Sequence, residues 1–201
     1  MHPLLADSYE RRCAGQLGSH QDIKTHLPTL SRYASACQVV VEFGVRTGNS
    51  TTALLHGLEQ AAEPAQLFSY DLERPSFDAP PLENVQWRFQ QADTAALATI
   101  PECDLLFVDT LHTAAQVKAE LTHARSVRHW IILHDTITWG STGERGQPGI
   151  TDPIYQFLAG HANEWCVHAH WPDCNGLLCL RRRTPVPITK PHANQFLFQN
   201  E

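Results

Sequence analysis

The chain has 201 residues, 42% of them apolar, and a formal net charge of −6. A chain of that length and composition can bury the core of one globular domain. It has no apolar run near the roughly 18 residues of a membrane span, and its only basic cluster, Arg181-Arg182-Arg183, is too narrow for a nucleic-acid groove. The opening MHPLLADSYERRC lacks a basic segment followed by an apolar one, so a cytoplasmic location is the default expectation. The six cysteines (13, 37, 103, 166, 174 and 179) form no C-x-x-C pair. They read as small buried hydrophobes rather than as disulfides or a zinc site.

In chain order, residues 1–38 read as an N-terminal helical cap, with helices over 6–15 and 21–36 and Ser19 as a candidate N-cap. From residue 39 the pattern alternates. Strands are expected over 39–43, 66–71, 85–89, 105–109, 130–134, 166–170 and 177–181, and helices over 50–60, 114–125 and 153–159. Short apolar strands alternating with helices predict a parallel sheet covered on both faces. Only the turn-rich WPDCNG separates the last two strands, so they should pair as an antiparallel hairpin. Residues 39–183 form the core, and 184–201 a proline-rich linker ending in Phe196-Leu197-Phe198. That apolar hook would cover its own domain or hold a homo-oligomer together.

The stretch VVVEFGVRTGNSTTALLHGL (39–58) reads as strand, glycine turn and helix N-terminus. Exposed amides and the positive end of the helix make such a turn a site for a carboxylate or phosphate, and glycines let backbone approach a ligand closely. The spacing E-x-G-x-x-x-G-x-S fits neither the dinucleotide fingerprint nor the P-loop. It resembles the first motif of class I S-adenosylmethionine (SAM) methyltransferases. That resemblance implies that Glu42, Gly44, Arg46, Gly48 and Ser50 hold the methionine half of the cofactor. Asp71, at the next strand end, suits a ribose diol or a helix N-cap. Asp93 suits an adenine amino group or the cap of a short helix at 94–98.

Ligands of open α/β sheets bind beyond the carboxyl ends of the strands. CDLLFVDTLHT puts Asp109 at one such end with His112 three residues on. HWIILHDTITWG puts His134 and Asp135 at the neighbouring end. Two carboxylates with imidazole suit a divalent cation. Mg²⁺ prefers carboxylate and water, and imidazole shifts the preference toward Mn²⁺, Fe²⁺ or Zn²⁺. Against this, Asp135 could cap the following loop and His134 could be a core residue bonded to backbone. The glycine-rich segment 140–151 reads as a mobile lid or substrate loop in which Glu144 and Arg145 could touch substrate, or as a solvated loop.

The ordered runs HQDIKTHLPTL, VVEFGVRTGNSTTALL, SYDLERP, DLLFVDTLHTAAQVKAEL, IILHDTITWG and NGLLCLRR resemble one methyltransferase family. It includes the metal-dependent sugar O-methyltransferases of macrolide biosynthesis and a cephalosporin-biosynthesis protein of the same fold. The resemblance implies an α/β, Rossmann-like, seven-stranded sheet with a C-terminal antiparallel hairpin. It also implies Asp109 and Asp135 as ligands of Mg²⁺ or Mn²⁺, His112 as general base, and SAM as cofactor, with Asp109 both catalytic and beside the cofactor; His134 joins the metal set on the residues' own chemistry. Position 134 departs from the pattern, since metal-dependent members carry an acid there. The expected function is O-methylation of a small-molecule or sugar hydroxyl. N- or C-methylation without metal, and a non-catalytic SAM-binding module, share the same turn. No nucleic acid or membrane is expected as a partner.

Overall fold

The computed structural model describes residues 1–18 and 21–184. Ser19 and the Phe196-Leu197-Phe198 hook lie outside the described residues. Seven strands form one sheet: β1 (Val39–Phe43), β2 (Ala65–Asp71), β3 (Val85–Gln91), β4 (Cys103–Val108), β5 (Val127–His134), β6 (Trp165–Trp171) and β7 (Leu177–Arg182). Their order is β3-β2-β1-β4-β5-β7-β6. The first five run parallel to one another, while β7 runs antiparallel to both β5 and β6. This is the expected mostly parallel sheet with a C-terminal antiparallel hairpin. The seven-stranded arrangement is Rossmann-like.

Among the described residues, five α-helices flank the sheet: α1 (Pro3–Cys13), α2 (Leu27–Ala34), α3 (Asn49–Leu58), α4 (Ala114–Glu120) and α5 (Thr151–Gly160). The expected helix over 21–36 is shorter. Residues 24–26 make a 3-10 turn, and α2 begins beside Pro28, whose missing N–H suits a first helical turn and not an interior. Likewise α4 tightens into a 3-10 segment over Leu121–Ser126.

One apolar layer joins α1, α2 and α3 to one face of the sheet through Leu5, Leu27, Leu30, Leu54, Leu58, Leu105 and Phe107. A second joins α4 and α5 to the other face through Phe43, Leu106, Val117, Leu121, Ile131, Ile154 and Trp165. All six residues of β4 are buried, as befits a central parallel strand. The buried Asp104 in it accepts from the amides of Gln38 (2.8 Å) and Val39 (2.9 Å) and pairs with Arg128 at 3.0 Å. One carboxylate thus fixes where β1, β4 and β5 begin. The chain turns from β1 outward to β2 and β3, then crosses back to β4 and β5. The switch point therefore lies between the carboxyl ends of β1 and β4, the usual place for a ligand. Among the described residues, no helix is long and apolar enough to cross a membrane.

Candidate active site

The turn after β1 is built around Glu42, which has no exposed surface. Its carboxylate accepts from the hydroxyls of Ser50 (2.6 Å), Thr51 (3.0 and 2.9 Å) and Ser69 (2.6 Å). Burial pushes its pKa up to about 7 against the pull of these hydroxyls. Glu42 and Ser50 therefore act inside the fold, tying the end of β1 to the N-terminus of α3 and to β2.

Gly44 has a φ of 90°. A Cβ there would stand 1.9 Å from the carbonyl oxygen of Asp109. The close approach that demands glycine at 44 is to the neighbouring strand end. Gly48, at φ 77°, precedes α3, whose N-terminus carries no side-chain cap. A Cβ at 48 would meet the Phe77 ring, and the Arg12 guanidinium lies 5.5 Å from that ring's centroid. The β2–β3 loop and α1 thus roof the turn. Asp71 accepts from the turn amides of Val45 (2.7 Å) and Arg46 (2.9 Å) and from Glu73 N–H (3.1 Å). The Arg46 guanidinium reaches Asp22 at 3.7 Å. Asp93 is exposed and caps the 3-10 turn Thr94–Ala96 by accepting from Ala95 N–H (2.9 Å). All the residues proposed for the cofactor surround one edge of the sheet, and their carboxylates already hold backbone or hydroxyl partners.

The second group is denser. Asp109 follows β4, its amide bonded to Phe43 C=O at 2.9 Å across the switch point. Its side chain keeps 24% exposure, so the cluster opens to solvent. Asp135 follows β5 in the left-handed region, at φ 62°, which an Asp tolerates better than most residues. His112 Nε2 lies 2.7 Å from Asp135 Oδ2 and 3.5 Å from Asp109 Oδ1. His134 Nδ1 lies 3.3 Å from each of those oxygens. Asp109, His134 and Asp135 can each offer an atom within 4.8 Å of the others.

The outer ring nitrogens decide what this means. His134 Nε2 is 2.9 Å from Cys174 C=O. A carbonyl only accepts, so that nitrogen carries the hydrogen. A neutral His134 then aims the lone pair of Nδ1 at two carboxylates. His112 Nδ1 is 2.8 Å from Glu144 Oε1, so its Nε2 is placed in the same way. Each inner nitrogen needs a proton or a cation between it and the carboxylates. With protons alone, burial lowers both imidazole pKa values, but Asp109 and Asp135 outweigh it. They raise His112 to about 10 and His134 to about 11. Burial opposes charge on the two carboxyls as well, yet the histidines hold both below the ordinary range.

A divalent cation fits the residues present. Asp135 Oδ1 is buried without a hydrogen-bond partner among the described residues, and two carboxylates with one imidazole make a mixed hard and borderline donor set. His134 also has the outer hydrogen bond that metal-bound histidines show.

Some of these contacts carry no signal in the sequence. Cys174 lies in the β6–β7 turn, where His26 Nε2 also bonds Asp173 C=O at 2.7 Å. Glu144 sits in the glycine-rich segment, which is a hydrogen-bonded loop. Gly143 N–H donates to Gln147 C=O (2.7 Å), Gly149 N–H to Ser141 C=O (3.1 Å) and Ala114 N–H to Pro148 C=O (2.8 Å). A separate cavity of about 530 Å³ lies on the α4 and α5 side, lined in part by Leu121, Phe157 and Trp165, and contains none of these residues.

Residues 41–136, which span the turn, Asp71, Asp93 and the whole acid–imidazole cluster, match a family model described as a methyltransferase domain. The match covers 96 of the 201 residues. The fold of the chain is that of an O-methyltransferase from Bacillus cereus in complex with SAH (14% identity, 91% of this chain and 92% of that one, TM-score 0.56). It is equally similar to the O-methyltransferase TomG from Streptomyces achromogenes, involved in tomaymycin synthesis and in complex with SAM (13%, 90% and 90%, 0.56). The N-methyltransferase NodS from Bradyrhizobium japonicum in complex with SAH shares it too (15%, 90% and 99%, 0.54). None of the curated proteins matches the chain.

Proposed function

We propose that this SAM-dependent methyltransferase methylates a hydroxyl of a small molecule or sugar, with His112 as general base and a divalent cation held by Asp109, His134 and Asp135. The observation that carries the reading is the convergence of two carboxylates and two oriented imidazoles at the switch point. A module that only binds the cofactor needs none of them. Structural neighbours of this fold include both O- and N-methyltransferases, so the fold alone does not choose the acceptor atom. The cluster favours oxygen, because an alcohol must lose a proton and a neutral amine need not do so beforehand. The resemblance of the quoted runs to sugar O-methyltransferases points the same way.

In this reading the uncapped N-terminus of α3 receives the carboxylate of the cofactor, and Asp71 lies near its ribose. The acceptor oxygen attacks the methyl carbon in line. The O–C bond forms as the S–C bond breaks, leaving the neutral thioether. With a cation on Asp109 and Asp135 in place of the proton that His112 Nε2 otherwise shares with them, Nε2 would be free to take the acceptor proton and pass it to solvent. Holding the partners in line supplies several kcal/mol of the barrier. A bound cation supplies Lewis acidity, lowering the pKa of the hydroxyl; Mg²⁺ or Mn²⁺ suits the donor set.

The test is calorimetry with SAM and its demethylated product, then turnover on a panel of hexose glycosides and phenols. Chelator should stop turnover, and Mg²⁺ or Mn²⁺ should restore it. His112→Ala should keep SAM affinity and lose about 10²–10⁴-fold in turnover. Full activity after exhaustive chelation would remove the cation from the mechanism. Full activity in His112→Ala would remove the base.

A further inference from the structure

We infer that Glu144 is the positioning residue of the site: it fixes which nitrogen of His112 faces the acceptor. This rests on His112 being the base. The same oxygen, Oε1, accepts from the His112 ring Nδ1 (2.8 Å) and from the His112 backbone N–H (3.2 Å). The Glu144 amide in turn donates to His112 C=O at 3.1 Å. Side chain and backbone of one residue thus grip side chain and backbone of the other.

The loop is shaped for this grip. A Cβ on Gly143 would stand 2.3 Å from His112 C=O and 2.9 Å from Pro148 C=O, so only glycine lets the chain lie against His112 at that point. On its other side the His112 ring stacks on Trp139, with centroids 5.9 Å apart and planes 8° from parallel. Stacking restricts the tilt of the ring, but a ring can still flip about its axis and exchange its nitrogens. Glu144 removes that freedom. Its carboxylate oxygen accepts from Nδ1–H, so Nδ1 keeps its hydrogen and Nε2 is the nitrogen turned to Asp109 and Asp135, the side on which the acceptor would bind. The Asp–His pair of serine hydrolases uses the same logic on another fold.

Three variants of the full chain test this: Glu144→Leu, Glu144→Gln and His112→Ala. The first readout is NMR of protein labelled with ¹⁵N-histidine, in which His112→Ala assigns the ring. Wild type should show a downfield, slowly exchanging Nδ1–H signal from His112. Glu144→Gln, whose amide oxygen can still accept, should keep it, and Glu144→Leu should lose it.

The second readout is kinetic, using tritiated SAM with the hexose glycoside and phenol panel. Glu144→Leu should lower kcat about 10–100-fold, the scale seen when the outer partner of a metal-bound histidine is removed. KM for SAM should stay within about twofold, and Glu144→Gln should recover most of kcat. A merely structural Glu144 would shift the melting temperature of both variants without this split between them. An unchanged Nδ1–H signal in Glu144→Leu overturns the inference whatever the kinetics show. A lost signal with His112→Ala fully active overturns the base assignment instead and leaves the contact standing.

Discussion

Gly44 gives the sharpest prediction. An alanine Cβ at 44 would lie 1.9 Å from Asp109 C=O and 2.8 Å from its carbonyl carbon. Real Cβ atoms essentially never approach within 3.0 Å, so the end of β4 must retreat from β1 by about 1 Å. The φ of 90° adds strain of about 1–2 kcal/mol, and forced overpacking of a filled core typically adds about 1–3 kcal/mol. Gly44→Ala should therefore lose about 2–5 kcal/mol of stability. Gly146 calibrates the backbone part, because it has a φ of 71° and nothing within 4 Å of its added Cβ. Gly146→Ala should cost only the backbone part, about 1–2 kcal/mol. Urea denaturation with linear extrapolation measures both. Because Asp109 moves with its own carbonyl, Gly44→Ala should also lose Mn²⁺ affinity, a site tolerance being roughly 0.5 Å. If Gly44→Ala unfolds within about 1 kcal/mol of Gly146→Ala, the account of this glycine is wrong.

Three further predictions follow from the same structure. In chelator, His112 and His134 titrate at raised pKa values, from 6.5 to about 10 and about 11. Their stabilisation is complete below 6.5 and drains as pH rises toward 10, so the melting temperature should fall over that window; a flat or rising profile refutes the pairing. Asp135→Asn should weaken Mn²⁺ binding in calorimetry by more than the roughly 10–100-fold cost of losing an outer partner, and wild-type affinity would place the cation elsewhere. Asp104→Ala should cost about 3 kcal/mol in urea unfolding, the low end for breaking a buried pair, because Glu102 remains 3.4 Å from Arg128; a loss under about 1 kcal/mol would mean that the strand starts are fixed by packing instead.

The sheet was legible because its evidence is local. Five-residue apolar runs, a glycine turn and a helix-free turn between the last two strands each report on their own neighbourhood. Asp109, His112, His134 and Asp135 were legible for a related reason: residues at the carboxyl ends of adjacent parallel strands are neighbours by topology. What stayed hidden depends on contacts between segments. That Gly44 must also make room for β4 shows only once β4 is placed against it. That Asp71 and Glu42 also hold turn amides and hydroxyls shows only once those partners are placed. Glu144 sits among glycines with no periodicity, and its grip on His112 spans 32 residues.

The family match ends at residue 136, yet the ring of His134 is turned by the carbonyl of Cys174, 40 residues later. That turn is itself pinned by His26 across 147 residues. Contacts of such sequence separation close late, because loop entropy must be overcome first. As the chain is synthesised, both carboxylates and both imidazoles emerge well before the backbone that orients them. A protein cut after its matched segment would keep every ligand in composition and lose the geometry, so a count of acids and histidines is a poor guide to whether a fragment can act.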